Sequence, residues 1–124
     1  MEFRLHGNQS FPKRQRLLRP SQFRRVYDDG RRYHGSLAVA HVLAVPDQPR
    51  TVGIVTSRKV GNAVARNRAR RLIREAYRLN QSKLQDHFQI VMVARHSING
   101  KKRQDVEACV LDLFRAAGLL CEAA

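Results

Sequence analysis

Six arginines within thirteen residues, Arg66, Arg68, Arg70, Arg71, Arg74 and Arg78, are the densest concentration of chemistry in this 124-residue chain. A single acid, Glu75, stands among them. Like charges this close on one helix repel unless a polyanion screens them, and an ordinary solvated helix face intersperses glutamate. Arg presents a planar fork of N–H donors that matches phosphate, and it stacks on bases, so the pattern points to nucleic acid before membrane. Asn67 lies near the middle of the group. Just ahead, Ser57-Arg58-Lys59-Val60-Gly61-Asn62 adds two cations, a glycine that lets backbone approach a phosphate, and an Asn suited to cap a helix whose N-terminus attracts anions. Together these residues predict one continuous anion-binding surface.

A second chemistry lies in Phe23 and Tyr27, one helical turn apart. Aromatics at that spacing either stack unpaired bases, as single-strand binders do, or fill the core beside Val26. The spacing leaves both open. His41 alternates with Leu37, Val39, Leu43 and Val45 on one face of a strand pattern, either as a satisfied core histidine or as part of a cleft lining. The parts of a protein-borne active site are not in view. The ten Asp and Glu are scattered, with Asp28-Asp29 the only adjacent pair, and His6, His34, His41, His87 and His96 show no helical or strand pairing. No GxGxxG, Walker or G-x-S-x-G motif occurs. The reading assigns the chain no catalytic residue and no metal ligand.

The elements that must hold these residues are legible from periodicity. Ser21 is placed to cap a first helix that carries Phe23, Val26 and Tyr27 and stops at Gly30. Tyr33 and His34 fit a short strand, 37–45 and 51–57 fit two more, and the apolar run 89–94 fits a strand covered on both faces. The arginine helix is predicted over 62–78, with Ala65, Ala69, Leu72, Ile73 and Ala76 as its core stripe. That stripe turns Arg70, Arg71, Arg74 and Arg78 to the opposite side and leaves Arg66 and Arg68 on the flanks. A last helix is predicted over 103–117, with Gly118 as its stop. The order α-β-β-β-α-β-α is that of a single-domain, two-layer α/β sandwich with helices against one sheet. Residues 20–118 form the domain, 1–19 a basic, loosely ordered arm, and 119–124 a short tail.

Composition agrees with a nucleic-acid partner. The chain carries 24 Lys and Arg against 10 Asp and Glu, a net charge of +14, and 19 of the cations are Arg. No apolar run reaches the length of a membrane span, and the N-terminal residues lack a signal-peptide apolar core, so no membrane is expected. Cys109 and Cys121 fit no zinc spacing and suit a reduced, cytoplasmic setting.

Taken whole, the segment 57–78 closely resembles the signature of the bacterial ribonuclease P protein component, with Arg66-Asn67-Arg68 followed by Arg71-Leu72-Ile73-Arg74-Glu75 at its centre. Ser21-Gln22-Phe23 with Val26-Tyr27 resembles the family's opening helix, and Arg50-Thr51-Val52-Gly53-Ile54 the strand before the signature. The resemblance spans about residues 11–117. It implies a fold related to ribosomal protein S5 domain 2, with a left-handed βαβ crossover through the signature. It implies a protein subunit of an endoribonuclease that removes the 5′ leader from precursor tRNA, with catalysis and Mg²⁺ carried mainly by a catalytic RNA subunit. Ribonuclease P RNA and precursor tRNA would be the partners, with no protein partner implied. Arg58, Lys59, Asn62, Arg66, Asn67, Arg68, Arg71 and Arg74 would face the RNA, joined by Arg70 and Arg78 from the helix pattern. Phe23, Tyr27 and His41 would line a cleft for the single-stranded leader. This chain departs from the family's pattern at His41, where an aromatic is frequent, and at Ala38, where a larger apolar residue is frequent. A structural ribosomal or RNA-assembly protein is the alternative, since it shares small size and basic charge without needing a leader cleft.

Overall fold

The computed structural model describes residues 11–121. Its main elements are α1 (Pro20–Asp29), β1 (Arg31–His34), β2 (Ala38–Ala44), β3 (Thr51–Val55), α2 (Ala63–Asn80), β4 (Phe88–Ala94) and α3 (Arg103–Ala116), the order expected from the sequence. The strands form one sheet in the order β1-β2-β4-β3. β4 runs antiparallel to β2 and parallel to β3, so β3–α2–β4 is a crossover between neighbouring strands. A central strand is covered on both faces, which is why Ile90, Val91 and Met92 are successive apolar residues and all fully buried.

The two sheet faces carry different layers. Ala40, Val42, Val52, Ile90 and Met92 pack against α2 through Ala69, Ile73, Ala76 and Tyr77, and against α3 through Val106, Val110, Leu113 and Phe114. On the other face Val91 packs with Val26 of α1 and with Leu17, and Phe23, Leu43, Val55 and Val93 are only partly buried around them. α2 and α3 are therefore the helical layer of the sandwich, and α1 covers part of the opposite face.

Local chemistry moves some expected boundaries. α1 starts at Pro20, not after Ser21, because proline is pre-set for the first helical position and Gln22 reaches back to accept from the Leu18 and Arg19 N–H groups (3.0 and 2.9 Å). It ends at Gly30, where a Cβ would sit 2.5 Å from the Val26 carbonyl oxygen and 2.8 Å from that of Val42. α2 begins as expected, with the Asn62 side chain accepting from the Ala65 N–H (3.0 Å). It continues past Arg78 to the buried Asn80, whose amide donates to the Ala76 carbonyl and to Glu107 of α3 (both 2.8 Å).

Residues 1–10 of the expected loose arm lie outside the described residues, and its remainder is packed rather than loose. Phe11 is buried against Tyr77 (ring centroids 5.1 Å apart), Arg16 donates to the Phe11 carbonyl (3.1 and 2.8 Å), and the Leu17 N–H donates to the Val52 carbonyl (3.0 Å). Two apolar side chains hidden in an arginine-rich segment hold it to β3 and α2. The expected tail is anchored likewise: Leu119 is fully buried and Leu120 bridges Leu84, while 122–124 lie outside the described residues.

Candidate nucleic-acid interface

The α2 N-terminus is built by a tight turn. The Val60 and Gly61 N–H groups donate to the Ser57 and Arg58 carbonyls, and Gly61 has φ +145°, a conformation that a side chain would strain. The turn leaves the Arg58 and Lys59 side chains exposed, without a side-chain hydrogen bond or ion pair among the described residues. Arg66 folds back to donate to the Gly61 carbonyl (3.0 Å), which fixes its guanidinium beside the turn.

Along α2 the six arginines divide by environment. Arg71 and Arg74 are exposed on the side away from the core. Arg70 and Arg78, expected to share that side, are half-buried on its flanks. Arg70 donates to the Thr56 hydroxyl at the end of β3 (2.7 Å) and to the Asn67 side chain (3.2 Å). Arg78 pairs with Glu75, one turn back (2.9 Å). That hydrogen bond holds the Glu75 carboxyl below the usual carboxylate range, with Arg103 and Arg74 adding to the effect. The helix's only acid is thus paired with Arg78 and forms no ion pair with an exposed cation of α2. Arg68 reaches the Lys101 carbonyl ahead of α3, and Asn67 is exposed beside Arg71.

Phe23 and Tyr27 lie on the opposite sheet face. Val26 is the α1 side chain that fills the core, fully buried, whereas Phe23 is half-buried and Tyr27 is 40% exposed. Phe23 lies against Gly53 of β3, where an added Cβ would meet its ring at 2.4 Å. Tyr27 meets His41 of β2 edge to face, with centroids 4.7 Å apart at 83°. A groove lined by Pro20, Phe23, Arg24, Tyr27, Asp28 and Val55 opens between α1 and β3. Burial pushes the Tyr27 phenol up, and it pushes the His41 imidazole down, with Arg32 and His34 adding to the latter. His41 is therefore half-buried on the groove face rather than in the main core. Ala38 is buried on the α3 face, so its small size bears on the core and not on the groove.

The two surfaces meet at β3. A second pocket is lined by Leu17, Phe23 and Gly53 from the groove side and by Arg16, Arg70 and Arg74 from the cationic side. Sequence reasoning did not single out Gly53, though an isolated glycine inside a strand is a known mark of close approach. It also passed over Arg50, whose guanidinium ties the α2 C-terminus to the following loop. Arg50 donates to the Gln81, Leu84 and Gln85 carbonyls and to the Tyr77 hydroxyl (3.0–3.1 Å).

The Ribonuclease P family model matches residues 11–118. The ribonuclease P protein component of Clostridium novyi is 41% identical over 109 residues, spanning 86% of this chain and 96% of that one. Its counterpart from Clostridium acetobutylicum is 39% identical over 110 residues, spanning 87% and 92%. Among solved structures, the Staphylococcus aureus RNase P protein aligns with a TM-score of 0.79 at 23% identity, covering 86% of this chain and 98% of that one. The Thermotoga maritima protein aligns with a TM-score of 0.74 at 24% identity, covering 87% and 98%. The fold is the α/β sandwich that the sequence resemblance implied, and β3–α2–β4 is the unit to which its left-handed crossover belongs.

Proposed function

Because the chain belongs to the ribonuclease P protein family, we propose that it binds the catalytic RNA of ribonuclease P through α2 and holds the single-stranded 5′ leader of precursor tRNA in the groove beside α1. The observation that carries this reading is the exposed cation surface of Arg58, Lys59, Arg71 and Arg74, none of which forms an ion pair, since the nearby acid Glu75 is paired with Arg78. Such a surface gains its binding energy by displacing counterions from a phosphate backbone. Arg66, Asn67, Arg68 and Arg70 are held by hydrogen bonds at its edges, so donors face the RNA without first being ordered. Asn62 shapes the helix start on which Arg58 and Lys59 sit, and Arg78 extends the surface at the other end.

The groove supplies the second contact. Phe23 and Tyr27 present half-exposed rings on which unpaired bases stack, and His41 supports Tyr27 from beneath. The described residues bring no three His, Cys, Asp or Glu side chains together to hold a metal ion. The part proposed for this chain is binding and positioning, with hydrolysis and Mg²⁺ belonging to the RNA, in the cytoplasm where precursor tRNA is made.

The test is reconstitution with a bacterial ribonuclease P RNA at low Mg²⁺, assayed for removal of the leader. Stimulation of cleavage by this chain is expected. Failure to stimulate, together with capture of ribosomal RNA in its place, overturns the reading. Phe23→Ala and Tyr27→Ala are expected to weaken precursor binding by about 1–3 kcal/mol per lost stack while leaving mature tRNA unaffected.

A further inference from the structure

Gln89 is the one polar residue of the apolar run 89–94, and on inner strand β4 it is 6% exposed. Strand alternation sets it on the face of Val91, and pairing places Thr51 of β3 directly beside it. Arg16 bridges Val52, which puts Gln15 next to Thr51 at the outer end of the same row. This row lies where β3 and β4 begin. The row of Gly53 and Val91, covered by Phe23 and Val26, separates it from the groove at Val55. Among the described residues, the buried side-chain atoms that find no hydrogen-bond partner in the chain are Gln15 Oε1, Thr51 Oγ1 and Gln89 Oε1. A buried amide or hydroxyl without a partner is costly, so one orphan needs a reason and three in one row need a shared one. The other end of the Gln89 amide is already engaged. It donates to the Gln48 side chain (3.3 Å), and the Gln48 carbonyl accepts from His87 Nδ1 (2.8 Å). That latch holds Gln89 to the β2–β3 loop and leaves its oxygen for another donor.

We infer that Gln15, Thr51 and Gln89 bind one water molecule that joins the N-terminal segment to β3 and β4. The donor inventory closes on it. The Thr51 hydroxyl donates to the water, and the two water hydrogens go to Gln89 Oε1 and Gln15 Oε1. Three partners is the usual number for a buried water. Neighbouring strands stand about 4.8 Å apart, so side chains in one row reach a molecule between them with bonds of ordinary length. A water also serves either orientation of the Gln89 amide, because it both donates and accepts, whereas a metal cation serves the oxygen alone. The row contains no carboxylate. Asp86, which borders a cavity with Gln15, is paired with Arg50 (3.2 Å), so a cation would enter a chain of net charge +14 uncompensated. The site bears on the residues that follow it. Tying Gln15 to the sheet sets Arg16 and Leu17, which line the pocket between the cationic surface and the groove.

The experiment is NMR of the full chain in water, with variants that keep shape and change hydrogen bonding. A bound water is expected to give a nuclear Overhauser effect to the Thr51 methyl and Gln89 methylene protons, with the sign of a molecule that tumbles with the protein. Thr51→Ser keeps the hydroxyl and is expected to keep the signal at Gln89. Thr51→Val and Gln89→Met are each expected to abolish it and to lower the melting temperature by roughly 4–8 °C. Either change releases the same water, so the double variant is expected to melt close to the less stable single one. Absence of the signal in the parent protein, its survival in both Thr51→Val and Gln89→Met, or fully additive losses in the double variant overturns the inference. A melting temperature that shifts when sodium replaces potassium at fixed ionic strength assigns the row to a cation and overturns it too. The parent signal and its retention in Thr51→Ser decide the matter even where Gln89→Met fails to fold.

Discussion

Gly53→Ala is a one-methyl test of whether the groove and the sheet are fitted to one another. The new Cβ would stand 2.4 and 2.7 Å from the Cε1 and Cζ atoms of Phe23 and 3.3 Å from the Leu17 Cβ. The backbone at Gly53 is ordinary extended strand, so the cost is overlap with the ring and not φ/ψ strain. Overpacking of this kind costs about 1–3 kcal/mol. Phe23 is half-buried and can swing toward solvent, which favours the lower half of that range. At this chain length about 1–2 kcal/mol lowers the melting temperature by roughly 4–8 °C. The displaced ring also leaves its stacking position, so leader-dependent affinity falls while assembly with the RNA, measured by gel shift, does not. The decisive arm is the double variant. With Phe23→Ala already present the overlap is gone, so adding Gly53→Ala is then neutral or stabilises by about 0.4–1 kcal/mol through the unfolded chain. If Gly53→Ala costs the same in both backgrounds, or costs nothing in either, the claim that Phe23 is seated on Gly53 is refuted.

Three further outcomes follow from the geometry. Arg71→Glu with Arg74→Glu is expected to abolish assembly with the catalytic RNA while melting stays within about 0.5 kcal/mol of the parent, because both side chains are exposed and make no hydrogen bond among the described residues; intact assembly in a gel shift argues against the α2 interface. Arg50→Ala is expected to destabilise by about 3 kcal/mol in urea titration, since it strands the Leu84 carbonyl and the Tyr77 hydroxyl, with no change in affinity per folded molecule. His41, whose imidazole is pushed below its ordinary value in the fold, binds its proton more readily when the chain is unfolded; stability of the free protein is therefore expected to drop as pH falls through about 6.5 and below. His41→Phe is expected to flatten that drop in denaturation curves taken on either side of the window.

How much of this was legible in the sequence depended on whether neighbours along the chain or across it decide the geometry. α2 was readable because its stripe, its Asn62 cap and its arginines lie within one element, and periodicity speaks directly to that. The packing of residues 11–17 was not, because Phe11 and Leu17 are two apolar side chains among three cations and their partners, Tyr77 and Val52, are distant in sequence. The environment of Arg70 was missed for the same reason, since the Thr56 hydroxyl at the end of β3 draws it to the flank, whereas Arg78 is drawn there by Glu75 one turn back, a pairing that charge counting along the helix overlooked. Phe23 and Tyr27 were undecidable from spacing. The answer rests with Val26, the α1 side chain that is fully buried with Val91, which leaves the two rings at the groove.

β4 is one of the two inner strands of the sheet and the last of the four to leave the ribosome. Until residues 88–94 emerge, β3 lacks its one strand neighbour in the sheet, and β2 is paired on one edge only, with β1. Val52 and the Val42 face stay wet, and the arginines of α2 repel one another on a helix with nothing to pack against. Order therefore arrives late and all at once, by closure of long loops, which is the slow route to a small domain. A newborn chain in that interval is a basic, half-collapsed polymer, and polyanions close at hand bind it before it has a shape to recognise them with.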